Sequence, residues 1–364
     1  MLPKLSVVMS VYNGDQYLRE SIESILNQTF TDFEFIIIDD GSVDCSWQIL
    51  SEYADKDRRV KLFKNEENIG LTKSLNKGLK LAKGEYIARQ DADDVSLPER
   101  FNKQVELLDK SPEVVLVSCN IDWIDSEGRF IGKQPRECDR DLVAWYLLFY
   151  NHVAGHSQVM FRQKPVSDLG GYSEDYRYSQ DYELWSRLSK VGDIVILSDA
   201  LLQQRRHDKS ISSAKQLEQD TYSLSNSKHN IKQLLGEELS LEELNALRGF
   251  WLGHWYSPFF PSSQKVSSIH SRLKEIYRIF LHKAAQQNNC NSDLSLRLRI
   301  RIGQQFAYWF RNLSLRQELL SKFKISLYML VWHPVALLDC WLKEIEKVLS
   351  RISQILVLPG FREQ

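Results

Sequence analysis

Three carboxylates fall within four residues at Asp91-Ala92-Asp93-Asp94, and two more open the turn Asp39-Asp40-Gly41-Ser42. Like charges set this close repel one another unless something cationic compensates. Hard oxygen ligands of this kind suit Mg²⁺ or Mn²⁺, which keep waters and complete their shell from a diphosphate. Read as ordinary structure, Asp-Asp-Gly-Ser is a loop with a helix cap, and the run from Asp91 to Asp94 is a solvated acidic loop. Position argues for more in the second case. It follows the strand-like Tyr86-Ile87-Ala88 and precedes Leu97-Pro98-Glu99-Arg100, where a proline starts a helix.

The elements that must carry these groups alternate. Leu5 to Val11 is a Val-rich run of the kind that fills a strand buried on both faces. Leu18, Ile22, Ile25 and Leu26 then recur at helical spacing. Phe35 to Ile38 and Val60 to Phe63 read as further strands, and Leu71, Leu75, Leu79 and Ala82 as a second helix face closed by Gly84. Such alternation predicts an α/β fold with a mostly parallel, Rossmann-like doubly wound sheet flanked by helices. Ligands of these sheets sit beyond the C-terminal strand ends. Both carboxylate clusters fall at such ends.

The chain has 364 residues, 43% hydrophobic and 26% charged, enough for two domains and a sizeable core. Its net charge of −1 hides an asymmetry: residues 264–324 carry twelve Lys/Arg against three Asp/Glu, which leaves the remainder near −10. Five scattered cysteines lack metal-ligand or redox spacing and read as reduced thiols of a cytoplasmic protein. Met1-Leu2-Pro3-Lys4 lacks the basic and apolar regions of a signal peptide. No run reaches about 18 apolar residues, so no spanning helix is expected.

Several motifs taken together are more specific than any one. Leu5-Ser6-Val7-Val8-Met9-Ser10-Val11-Tyr12-Asn13, Ser24-Ile25-Leu26-Asn27-Gln28-Thr29-Phe30, Ile38-Asp39-Asp40-Gly41-Ser42, Asn68-Ile69-Gly70-Leu71 and Asp91-Ala92-Asp93-Asp94 stand in the order and spacing of family 2 glycosyltransferases, and residues 4–212 resemble that family. The resemblance implies a GT-A fold and an inverting, nucleotide-sugar-dependent enzyme. It implies that Ser10, Tyr12 and Asp40 line the base and ribose pocket, with Asp40 reading the base. Asp91 and Asp93 match the family's D-x-D pair, the first facing the ribose and the second binding a divalent cation, Mg²⁺ or Mn²⁺, between the phosphates. Asp94 has no such role in the pattern.

Gly170-Gly171-Tyr172-Ser173-Glu174 and Ser179-Gln180-Asp181-Tyr182-Glu183-Leu184-Trp185 resemble the family's acceptor-side segment, which implies that Asp181 is the general base. Most members have Glu where Gln180 stands. Without that role Asp181 only complements a helix N-terminus, worth about 0.3–1 kcal/mol. Arg206 to Ser212 resembles the segment that closes the family domain, where His207 completes the metal shell or contacts the diphosphate. Otherwise His207 is a satisfied structural residue, as is His156 in the loop Gly155-His156-Ser157.

The implied chemistry is one displacement: a cation on Asp93 neutralises the leaving diphosphate while Asp181 takes the acceptor's proton. The implied partners are a nucleotide-sugar donor and a glycan or lipid-linked acceptor, with cell-surface polysaccharide as the product. A nucleotidyltransferase acting on sugar phosphates would show a glycine-rich phosphate loop with a basic residue, which Ser10 to Asp15 lacks. The retained aspartates argue against a non-catalytic glycan-binding scaffold. No nucleic-acid-binding motif is evident.

The expected domains are a catalytic one over 1–212 and a helical region over 213–364. Within the latter, residues 296–332 mix arginines with Phe306, Tyr308, Trp309, Phe310 and Leu313. That mixture fits a helix lying on an anionic membrane, a peripheral contact with the inner face. It equally fits a packed helical subdomain with solvated arginines.

Overall fold

The computed structural model describes residues 2–153, 155–208, 210, 215–253, 263–286, 293–313 and 319–356. Contacts divide the chain into two compact units, Met1–Asn230 and Ile231–Gln364. The domain edge expected at 212 lies outside the described residues.

The first unit runs β1 (Leu5–Val11), α1 (Asp15–Leu26), β2 (Phe33–Asp39), α2 (Ser46–Lys56), β3 (Val60–Lys64), α3 (Leu71–Leu81), β4 (Tyr86–Arg89), β5 (Val95–Ser96), α4 (Arg100–Lys110), β6 (Val114–Ile124), β7 (Phe130–Gln134), α5 (Arg140–Tyr146), β8 (Met160–Arg162), α6 (Gln163–Asp168), α7 (Gln180–Leu188) and β9 (Asp193–Arg205). The helix α8 (Gln216–Leu235) crosses the division between the units. One nine-stranded sheet has the order β3-β2-β1-β4-β8-β6-β9-β5, with β7 on β6. The first four strands are parallel, as their alternation with helices predicts. Beyond them the sheet is mixed: β8 runs antiparallel to both β4 and β6, while β6 and β9 are parallel.

Alternate residues of β1 face opposite layers, which is why the whole run is apolar. Val7 and Met9 pack with Leu18, Ile22 and Ile25 of α1 and with Phe101 and Leu108 of α4. Val8 packs on the other side with Leu75 of α3 and with Leu184, Trp185 and Leu188 of α7. Gly84 does not close α3, which ends at Leu81. Its role is proximity: a Cβ there would lie 2.4 Å from the Ser6 nitrogen, and its own N–H donates to Ser6 Oγ at 2.8 Å. The chain must therefore pass against β1 to begin β4. Asn226 and Asn230 of α8 donate to Ser186 Oγ, and Asn230 also to the Leu147 carbonyl. This part of α8 thus belongs to the first unit.

The second unit comprises α9 (Leu241–Leu252), α10 (Ser263–Gln286), α11 (Leu294–Asn312), α12 (Leu319–Trp332) and α13 (Pro334–Leu356). Ser240 and Glu243 form a capping box on α9. Within residues 296–332, Phe306, Trp309 and Phe310 are buried, as is Leu313, while Tyr308 is half-buried. Trp309 Nε1 donates to the Phe250 carbonyl at 2.9 Å. Burial therefore matches the packed reading of this stretch.

His270 of α10 stacks on Tyr328 at 3.8 Å, and burial, aided by Lys274, pulls its imidazole down to about 4. A depressed folded value favours the neutral ring. Its stabilisation is present above the usual value near 6.5 and is lost as pH falls towards 4. Urea unfolding followed from pH 7 to 4.5 should show wild type losing about 1–3 kcal/mol more than His270→Phe over this window. Parallel pH curves for the two proteins would remove His270 from this role.

Candidate active site

Four loops meet at the C-terminal edge of the parallel strands, and short hydrogen bonds bind them to each other. Asn13, held at φ 51°, accepts from the Val43 nitrogen at 3.0 Å and donates its own N–H to Ser42 Oγ at 3.0 Å, joining the β1 and β2 loops. A Cβ on Gly14 would lie 3.4 Å from the Cβ of Ala92, so the β1 loop also adjoins the Asp91–Asp94 run. Ser10 ends this side of β1 opposite Ile38, and Tyr12 is 51% exposed on the loop beyond.

Asp40 is buried, and its carboxylate accepts from Asn65 Nδ2 (2.8 Å), Ser74 Oγ (2.8 Å), the Ile69 nitrogen (3.0 Å) and the Gly70 nitrogen (3.0 Å). One carboxylate thus shapes the whole β3–α3 loop. Any base bound here would share Asp40 with four protein donors. Asp39 is fully buried, and neither of its carboxylate oxygens has a hydrogen-bond partner among the described residues.

The Asp91–Asp94 run is held by buried arginines. Arg89 donates to the carbonyls of Val8 and Gln90 and to Asp91 Oδ1 at 2.7 Å. Burial alone would raise the Asp91 carboxyl, but Arg89, His156 and Ser157 outweigh it and hold the group below the usual carboxylate range. Its side chain remains 33% exposed. Arg100, also fully buried, donates to Gln90 Oε1, Ser96 Oγ and the Arg89 and Val159 carbonyls. Burial pulls its guanidinium down to about 10, which leaves it cationic at neutral pH.

Asp93 and His207, 114 positions apart, meet with Oδ2 and Nε2 at 2.9 Å. Both are partly open to solvent, at 30% and 14%. Arg205 positions the pair: its Nε donates to the Asp93 carbonyl and its backbone nitrogen to Asp94 Oδ1, both at 3.0 Å. Tyr17 lies against both the Arg205 guanidinium and the His207 ring. Asp94 is buried, and desolvation together with Asp93 and Asp91 raises its carboxyl well above the usual range. It fastens the end of β9 and does not open into the site.

Among the described residues, no three His, Cys, Asp or Glu side chains converge on one point that could hold a metal. A carboxylate and an imidazole nitrogen at contact distance nevertheless fit a divalent cation that takes its remaining ligands from water and a diphosphate.

Asp181 sits in the first turn of α7, after Ser179 in a left-handed conformation at φ 53°. Asn151 Nδ2 donates to its Oδ2 at 2.8 Å. Asp181 and Asp91 both act on the buried His156 and Tyr172, which puts the two carboxylates in one electrostatic neighbourhood. His156 is packed edge-on to Tyr172 and Trp185, and burial lowers its imidazole. Glu183 is engaged by Arg187 at 2.6 Å. The motifs did not point to Arg89, Arg100, Ser157 or Arg205. The available signal was an arginine ending a short apolar strand, Tyr86-Ile87-Ala88-Arg89, directly before an acidic run.

A sequence profile described as Glycosyl transferase family 2 matches residues 6–170. The O-antigen biosynthesis glycosyltransferase WbnJ of Escherichia coli is 38% identical over 217 residues, 58% of this chain and 82% of WbnJ. Among solved structures, S. aureus TarS 1-349 in complex with UDP-GlcNAc aligns at TM-score 0.55 and 18% identity, over 84% of this chain and 91% of that one. The mannosyltransferase PcManGT from Pyrobaculum calidifontis, in complex with GDP-Man and Mn²⁺, aligns at TM-score 0.52 and 14% identity, over 95% and 88%. At these identities the structural likeness establishes the fold, which is of the GT-A type.

Asp40→Asn tests the anchoring of the β3–α3 loop. An amide has only one oxygen to offer four donors, and its NH₂ faces one of them. The substitution should cost about 1.5–3 kcal/mol in urea unfolding and speed hydrogen exchange at the Ile69 and Gly70 amides. Unchanged exchange there would show that the loop holds itself.

Proposed function

The chain belongs to glycosyl transferase family 2, and on that premise we propose that it is an inverting, cation-dependent hexosyltransferase acting on a nucleotide-sugar donor. The coarser statement, a glycosyltransferase of polysaccharide biosynthesis, agrees with the relatives. The observation that carries the finer one is the meeting of Asp93 with His207 at the rim of the parallel strands. Ser10, Tyr12 and Asp40 border the base and ribose, and Asp91, turned by Arg89, meets the ribose. Asp93 and His207 hold Mg²⁺ or Mn²⁺. PcManGT was solved with Mn²⁺, which supports this choice. When bound, the cation supplies Lewis-acid neutralisation of the charge that develops on the leaving diphosphate.

Asp181 is the general base. Asn151 fixes one carboxylate oxygen and leaves the other to accept the proton of an acceptor hydroxyl as that oxygen attacks the anomeric carbon. Attack opposite the leaving group inverts the configuration in one step, with no covalent intermediate. The acceptor is a glycan or a lipid-linked sugar. We place the enzyme on the cytoplasmic side, in peripheral contact with an anionic membrane face, on the excess of twelve basic over three acidic residues in 264–324. No helix among the described residues is long and apolar enough to cross a membrane.

Two substitutions separate binding from chemistry. Calorimetry with UDP and GDP should show nucleotide affinity that depends on Mg²⁺ or Mn²⁺ and that Asp93→Asn abolishes; equal affinity in chelator would take Asp93 out of the metal site. Asp181→Asn should bind nucleotide like wild type yet transfer sugar roughly 10²- to 10⁴-fold more slowly. Near wild-type transfer by that variant would leave Asp181 only its place at the helix terminus.

A further inference from the structure

Eleven of the 21 large apolar side chains exposed among the described residues lie between Leu319 and Leu349, on α12 and α13. Leu320, Phe323 and Leu327 follow one another at helical spacing on α12, and Leu338, Leu342 and Ile345 do so on α13, each 46–66% exposed. The opposite faces are used: Ile325, Met329, Trp332 and Cys340 are buried. Both helices pack on α11 and on each other. Each apolar stripe thus lies on the side of its helix away from the buried face. A soluble monomer seldom exposes so continuous a patch, which marks an interaction surface.

The charges around the patch select the partner. Arg299 donates to the Val331 carbonyl at 2.9 Å, which sets its guanidinium at the end of the α12 stripe. Lys324 stands next to the α12 stripe in sequence, and Leu319–Trp332 contains no acidic residue. On α13, Asp339 is paired with Lys343 at 3.0 Å, which leaves Glu346 as the exposed acid. An apolar face whose α12 half is basic and free of acids, on helices too short or too polar to span, matches an anionic lipid surface.

We propose that α12 and α13 form a membrane-docking face, lying in the plane of an anionic bilayer with the leucine stripes below the headgroups and Arg299 and Lys324 at the phosphates. This rests on the peripheral-membrane reading above and places its contact on α12 and α13 rather than on α11, where Phe306, Trp309 and Phe310 are interior. The attachment is then hydrophobic as well as electrostatic.

Sedimentation of the full chain with phosphatidylglycerol–phosphatidylcholine vesicles tests this. Leu338→Gln, Leu342→Gln and Ile345→Gln sit at exposed positions and should keep the wild-type melting temperature and transfer to a soluble acceptor. Each should weaken vesicle binding roughly tenfold. Arg299→Gln and Lys324→Gln should each weaken it roughly fivefold, an effect that added salt removes. Apolar variants that bind like wild type, with all binding lost in salt, would overturn the docking face yet leave electrostatic attachment intact. Absence of vesicle binding would overturn both. In that case a concentration-dependent dimer dissociated by the Gln variants would assign the face to a second copy of the chain.

Discussion

Three aspartates at the end of a buried strand are tenable only beside fixed positive charge, and most of this strand edge is arranged to supply it. Arg89 lies inside the sheet, ties the β4 end to β1 through the Val8 carbonyl, and turns Asp91 outward. Arg100 reaches the same strand end from α4 and binds the backbone that carries Gln90. Arg205 comes from β9 and takes the Asp93 carbonyl and Asp94. Each of the three is buried and almost wholly committed to named acceptors. A guanidinium suits this work because its fork of donors can satisfy several carbonyls while its charge stays put. Truncating any of them would leave buried carbonyls and carboxylates unpaired, a larger loss than the bonds themselves.

That compensation also sorts the aspartates. Asp91 and Asp93 keep part of their surface in solvent, whereas Asp94 turns inward and is pushed towards its neutral form. A sequence cannot distinguish members of such a run, because the distinction depends on which neighbour faces arginine and which faces protein. Asp39 and Asp40 divide similarly. Asp40 carries the β3–α3 loop on its carboxylate, and Asp39 is enclosed by the core.

The legible part of the fold was its local part. Leu18, Ile22 and Ile25, and likewise Leu75, lie where helical spacing put them, and the first four strands pair in parallel. What periodicity could not reach is the antiparallel insertion of β8 between β4 and β6, since pairing partners 70 or more residues apart in Tyr86↔Arg162 leave no trace in either strand alone. Gly84 shows the same limit at one residue. A glycine after an amphipathic stretch reads as a helix cap, but its need comes from the neighbouring strand. The proposed site residues rest on resemblance, which carries side-chain types in order, while the arginines behind them became visible only through their buried contacts. On the helical side, the aromatic half of the mixture in residues 296–332 fills the interior at Phe306, Trp309 and Phe310, which residue types in order could not show.

The union of Asp93 with His207 also bears on the order in which the enzyme becomes competent while it is being made. The four parallel strands and the Asp40-anchored loop are all made once the chain has reached α4, and Asp40 holds its loop through partners within about 35 residues, so this part can fold early. The imidazole arrives only with the end of β9, together with the arginine that steadies it. A ribosome-bound chain therefore carries the Asp91–Asp94 run without the imidazole that meets Asp93 through much of its elongation. On the roles proposed for Asp93 and His207, the capacity to hold a cation thus arrives late, after the segment carrying Asp181 has been made.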